Sequence, residues 1–146
     1  MIPKRVYAKI NLDNIKKNIK SIHSKFGDKV SVMGIVKANG YGHGAIEVAR
    51  AMNEAGVNYF GVAAIDEAIE LRQNGIDSPI LILGQIFKQD FRTAIENDIT
   101  CAIVDIDTAK RLSSTAVSMN KKIKVHIKID TGMGRIGFQP DDEGYS

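Results

Sequence analysis

Short apolar, β-branched runs alternate with helix-period segments along the whole chain, and no low-complexity stretch interrupts them. Such alternation predicts a parallel sheet joined by crossover helices, the α/β class. The runs are Val30–Val36, Val57–Val62, Pro79–Leu83, Cys101–Val104 and Ile123–Ile129, after a weakly alternating short strand at Arg5–Ile10. Pro79–Leu83 is almost uninterrupted, as expected of a strand covered on both faces. Between the runs, Leu12, Ile15, Ile19, Ile22 and Phe26 recur at helical spacing behind an Asn11 cap, and Gly27-Asp28 ends that helix. Ala45, Ala49, Met52 and Ala55 mark a second helix, stopping at Gly56, and Ala64, Ala68 and Leu71 a third, ending at Asn74-Gly75. Asp90 is placed to cap a helix with Phe91, Ala94 and Ile95, and Asp107 one with Ala109, Leu112 and Val117. A closed (β/α)8 barrel needs eight parallel strands and about 250 residues. Five strands after the first therefore predict either an open doubly wound sheet or a barrel cut off before closure.

Charge and cysteine usage exclude several classes. The 20 basic residues are nearly matched by 17 acidic ones, and the longest basic cluster, Lys121-Lys122 with Lys124, is too short for a nucleic-acid patch. Cys101 is alone in an apolar run, which reads as a small core residue and rules out a disulfide framework or a paired-cysteine metal site. His43 and His126 share no metal-ligand spacing, so no metal is assigned. The N-terminus carries no apolar leader and nothing approaches 18 consecutive apolar residues. A cytoplasmic protein without membrane or nucleic-acid partners is expected.

Chemistry gathers at two strand ends. The run Val30–Val36 delivers Lys37 to its C-terminal tip, the end at which parallel α/β proteins bind ligands. Most lysines are simply solvated. This one follows a buried strand directly, where partial burial favours the free amine that condenses with a carbonyl. The loop after it, Asn39-Gly40-Tyr41-Gly42-His43-Gly44, opens a helix whose free N–H groups suit a phosphate. It is neither GxGxxG nor a P-loop. Tyr41 adds a phenol able to bond a phosphate oxygen, or else packs over the turn. The last strand alternates Val125, Ile127 and Ile129 against His126, Lys128 and Asp130. A buried Lys128 must be paired, neutralised or modified, whereas His126 reads as an exposed edge residue. Arg135 lies in the glycine-bracketed loop beyond, where a guanidinium can hold a carboxylate or phenolate.

With these segments in hand, the chain resembles alanine racemase, a fold-type III pyridoxal-phosphate enzyme. Ala8-Lys9-Ile10-Asn11-Leu12-Asp13 is similar to the family's opening strand-helix junction, and Val36-Lys37-Ala38-Asn39-Gly40-Tyr41-Gly42-His43-Gly44 to its cofactor-lysine signature, with Gly40 where alanine is commoner. Asp66-Glu67-Ala68-Ile69-Glu70-Leu71-Arg72 and Ile80-Leu81-Ile82-Leu83-Gly84 resemble intermediate blocks, and His126 to Phe138, with Asp130-Thr131-Gly132-Met133-Gly134-Arg135 at its centre, resembles the second signature. The resemblance implies a (β/α)8 TIM-type barrel, incomplete here after about five strands, with residues 1–146 as its N-terminal portion and the family's C-terminal β-domain absent. It implies pyridoxal 5'-phosphate as cofactor, bound covalently by Lys37, which also serves as one of two opposed acid/bases. Tyr41 would bind the phosphate, Arg135 the phenolic oxygen and the substrate carboxylate, and Ile35 and Leu83 would line the ring pocket. Lys128 matches a lysine that is carbamylated in some members. The family is homodimeric and supplies D-alanine for peptidoglycan, with a second base, a tyrosine, from the partner's β-domain. With that domain and the later barrel strands absent and no family position matching Tyr145, this chain alone is expected to be inactive. The raw strand edges and uncovered apolar interior of an incomplete barrel are expected to make it self-associate. The rival readings are a non-catalytic pyridoxal-phosphate carrier, a racemase for serine or lysine, and a flavodoxin-like nucleotide domain.

Overall fold

The strand order decides between the two architectures. In the computed structural model, which describes residues 6–27 and 29–140, β1 (Met33–Ile35), β2 (Tyr59–Val62), β3 (Ile80–Gln85), β4 (Ile99–Ile103) and β5 (Val125–Ile127) form one sheet in the order β1-β2-β3-β4-β5. Every neighbouring pair is parallel. A doubly wound sheet must reverse its order at a switch point. This sheet never does, so right-handed crossovers put the connecting helices on one face. That is the winding of a barrel, and it removes the flavodoxin-like alternative.

The helices follow the apolar spacing closely: α1 (Leu12–Phe26), α3 (Ala45–Glu54), α4 (Ile65–Gln73), α5 (Phe91–Glu96) and α6 (Ile106–Ser118), with a single turn α2 (Lys37–Tyr41) after β1 and a 3-10 turn at Lys88–Asp90. Asn11 caps α1 as expected, accepting the Asn14 N–H at 3.1 Å. The core lies between this layer and the outer face of the sheet, where Phe60, Val62, Ile80, Ile82, Ile99, Cys101 and Ile103 are all buried. Burial pushes the Cys101 thiol up to about 12, consistent with a core role.

Several local expectations are corrected. Arg5 and Asp28 lie outside the described residues, and Val6–Ile10 form no strand; Val6 and Tyr7 are exposed and pair with no strand among the described residues. The cap of α6 is Asp105, whose carboxylate accepts from the Thr108 N–H at 2.6 Å, while Asp107 sits inside the first turn and pairs with Arg111. Asp90 precedes α5 without a side-chain cap bond, because its own backbone is already helical. Ile22, Phe26 and Val117 are exposed, since the apolar stripe outruns the sheet it packs on. β5 is shorter than its apolar run, and beyond it Ile129 bridges to Phe138.

The inner face is less covered than an uninterrupted β3 suggested. It carries Ile35, Gly61, Leu81 and Thr100 in register, with Leu83 one layer nearer the C-terminal ends. Leu83 is only half-buried. A Cβ at Gly61 would meet Ile35 Cδ1 at 2.7 Å and Leu83 Cδ1 at 3.2 Å. The bare position leaves both side chains room to reach over β2, one from each neighbouring strand.

Candidate active site

At the C-terminal end of β1 the Val36 N–H still donates to the Gly61 carbonyl at 2.9 Å, and Lys37 then leaves the sheet half-buried. The chain does not continue as an open loop. Ala38, Asn39, Gly40 and Tyr41 have φ values from 51° to 61°, so α2 is a left-handed turn. Three of the four are not glycine, and each such residue costs roughly 1–2 kcal/mol in that region. The winding brings Tyr41 back beside the lysine, with Lys37 Nζ 5.9 Å from the ring centroid.

Side chains hold this turn. Asn39 Oδ1 accepts the Ala45 N–H at 2.9 Å, capping α3 from within the turn. His43 Nδ1 lies 3.0 and 3.1 Å from the Gly40 and Tyr41 carbonyls, which can only accept, so that nitrogen donates. Glu67, reaching over from the start of α4, accepts the Ala38 N–H at 2.6 Å.

A second loop is pinned at the end of the sheet's last strand. Asp130 is buried, and its Oδ1 accepts the N–H groups of Gly132 at 2.9 Å and Gly134 at 3.1 Å. Those bonds, Gly134's foremost, hold its carboxyl below the usual carboxylate range. The base of the loop is closed by Asp130 N–H to the Phe138 carbonyl and Phe138 N–H to the Lys128 carbonyl, both 2.8 Å. Arg135 stands in the loop so fixed, exposed and in no ion pair among the described residues.

Lys37, Leu83 and Arg135 come together. They line one cavity of about 260 Å³ with Ala63, Gly84 and Ile136. Ile35, two residues before Lys37 on β1, does not line this cavity; its side chain, like that of Leu83, reaches the space over Gly61. Tyr41 stands just outside, 58% exposed. Lys128 is half-buried on the inner side of the sheet's last edge, and His126 is exposed as expected; neither lines the cavity. A roomier hollow of about 450 Å³ opens at the opposite ends of β1 and β2, beside Lys20, His23 and Tyr59. In singly wound parallel folds chemistry sits at the C-terminal ends, so the smaller cavity is the candidate.

Sequence reasoning missed Glu67, Asn39, His43 and Asp130 as the residues that shape the site. A glutamate at the third position of a helix is a capping signal, weakened here because Ala64 rather than Ser or Thr precedes the helix. Asp130-Thr131-Gly132 carried a turn signal that was legible.

A singly wound parallel sheet, with a lysine at the lip of its first strand and a pinned arginine after its fifth, places the chain in the barrel-type α/β class. Residues 10–144 match the alanine racemase N-terminal domain, and the chain belongs to the alanine racemase family. It is 46% identical over 139 residues to the alanine racemase of Desulforamulus reducens, covering 95% of this chain and 38% of that protein. It is 49% identical over 140 residues to alanine racemase 2 of Caldanaerobacter subterraneus subsp. tengcongensis, covering 96% and 36%. Among solved structures, the alanine racemase of Clostridium difficile 630 superposes with a TM-score of 0.93 at 43% identity, over 99% of this chain and 38% of that one. The Bacillus anthracis enzyme with bound L-Ala-P gives 0.83 at 34% identity, over 93% and 36%. The chain thus spans 36–38% of the length of these relatives.

Proposed function

We propose that this chain holds pyridoxal phosphate at the lip of β1 and contributes Lys37 to the interconversion of L- and D-alanine. The observation that supports this most is the meeting of Lys37 and Arg135, from opposite edges of the sheet, in one cavity. The residues present fit the group: an amine for its aldehyde, a phenol and a guanidinium for its anionic oxygens, and an apolar wall for its ring. At Gly84 that wall has no room for a side chain, since a Cβ would lie 2.5 Å from the Ala63 carbonyl oxygen.

Each residue then has a task. Lys37 would bond to the cofactor and move a proton at the substrate Cα, while Tyr41 would hold the phosphate. Arg135 would donate to the phenolic oxygen and position the substrate carboxylate. Ile35 and Leu83 would support the ring. Lys128, as a carbamate, would be an anion orienting Arg135. The bound pyridine ring supplies the electron sink that makes the Cα proton acidic.

Racemisation needs a proton carrier on each face of the substrate. Besides Lys37, the cavity offers apolar Ala63, Leu83, Gly84 and Ile136, and Arg135, which only donates. The opposite base belongs in a C-terminal β-domain of a homodimeric whole protein, a cytoplasmic enzyme providing D-alanine for peptidoglycan. No described helix is long and apolar enough to cross a membrane. By itself this chain does not racemise alanine. Val125 and Ile127 are exposed on β5, which has no partner strand on its outer side among the described residues, so copies of the chain associate there.

The test is borohydride reduction of the chain with pyridoxal phosphate, read by intact mass and peptide mapping. One cofactor should attach at Lys37 and none in Lys37→Ala; labelling elsewhere, or none, would overturn the assignment. Added L-alanine should give no D-alanine above the Lys37→Ala control, and robust turnover would refute the one-base reading.

A further inference from the structure

Glu67 occupies the third position of α4, where a carboxylate ordinarily caps its own helix and nothing more. Its Oε2 does that, accepting the Ala63 N–H at 2.7 Å and the Ala64 N–H at 3.4 Å. Ala64 has no side-chain acceptor, so the cap is one-sided. Oε1 turns the other way and accepts the Ala38 N–H at 2.6 Å, from the corner after β1. That N–H belongs to the peptide joining Lys37 to Ala38. Helix capping does not account for this second bond, which crosses from one βα corner to the next.

We propose that Glu67 is a positioning residue for Lys37: one rigid carboxylate ties the peptide that follows the lysine Cα to the corner after β2, whose Ala63 shares the cavity with the lysine. The inference rests on Lys37 being the reactive amine and adds what aims it. A long, flexible side chain reaches one place only if the peptide at its root is fixed. The left-handed turn alone does not provide that, because its strained residues relax once an anchor is released. Glutamine has one acceptor oxygen where the carboxylate has two, so whichever way its amide faces it holds only one of the two corners and the tie between them is broken.

The experiment compares the chain with Glu67→Gln and with Asp105→Ala, which removes the cap of α6 far from the turn. Two readouts are taken on each: the NMR shift of the Lys37 side-chain protons beside the Tyr41 ring, and cofactor capture at Lys37 by reduction at graded pyridoxal phosphate concentrations. In Glu67→Gln the ring-induced shift should collapse, and the concentration for half-capture should rise about tenfold, the size expected for losing one charge-assisted hydrogen bond. Asp105→Ala should lower the melting temperature at least as much while leaving both readouts unchanged. Glu67→Gln with an unchanged Lys37 shift and unchanged capture would reduce Glu67 to a cap and overturn the proposal. If the wild-type chain captures no cofactor, the reading of Lys37 fails by itself, and the NMR shift still decides whether Glu67 fixes the amine.

Discussion

Helix α4 spans the sheet from one rim to the other, and its charged ends can be compared directly. At its last turn Arg72 donates to the carbonyls of Ile76, Ser78, Asn97 and Asp98 at 2.5–3.2 Å. At its first turn Glu67 accepts the N–H groups of Ala38, Ala63 and Ala64. The cation gathers carbonyls at the entrances to β3 and β4; the anion gathers N–H groups at the exits of β1 and β2. The backbone they secure differs too. Near the entrances, left-handed residues such as Asp98 and Asn120 occur singly where helices stop, whereas at the exit of β1 five stand in succession, Ala38 to Gly42. The entrance rim satisfies groups that folding leaves over. The exit rim maintains a conformation the chain would not hold unaided, and such strain collects where function is built.

The largest test of that contrast is Arg72→Ala. Four carbonyls lose a shared donor, and urea unfolding should show a loss of about 3 kcal/mol. Burial already works against this guanidinium, lowering its pKa, with Asp98 and Asp77 opposing the shift. The folded fraction should capture cofactor at Lys37 as before; altered capture would mean the two rims are not separable. Ala38→Gly should have the opposite sign, raising stability by about 0.5–1 kcal/mol, because glycine adopts a positive φ without the Cβ penalty. A loss instead would show that the turn is not strained. The smallest effect is confined to acid. The folded-state pKa of Asp130 is depressed, so its contribution is complete above the ordinary carboxylate value of about 3.9 and is lost as pH falls through the lower folded value. Hydrogen-exchange protection at Gly132 and Gly134 should fall below about pH 4 in the wild type and show no such step in Asp130→Asn.

Periodicity made the five sheet strands and the five longer helices legible in order, because each apolar run had to find a covered face, though not the helical turn after β1 or the loss of a strand at Val6–Ile10. It could not choose between winding patterns, which depend on strand order and hence on contacts between residues distant in the chain. Lys37 and Arg135 were legible as residue types at strand ends. The hand of the turn after Lys37 was not: Ala38 and Tyr41 have no intrinsic preference for positive φ, and the groups that impose it come from Glu67 and from the side chains of Asn39 and His43. The Asp107 cap failed for a simpler reason, as Asp105 lay two residues upstream with the same chemistry and extended backbone geometry.

Gly61 carries one more implication. The hydrocarbon backing of the cleft runs unbroken from the first strand to the third because the middle strand contributes no side chain there. A single methyl group at that position would wedge Ile35 and Leu83 apart and push the backing out of line, leaving every hydrogen bond and every charge in place. The fit of whatever lies against it is therefore governed by a residue that has no side chain at all.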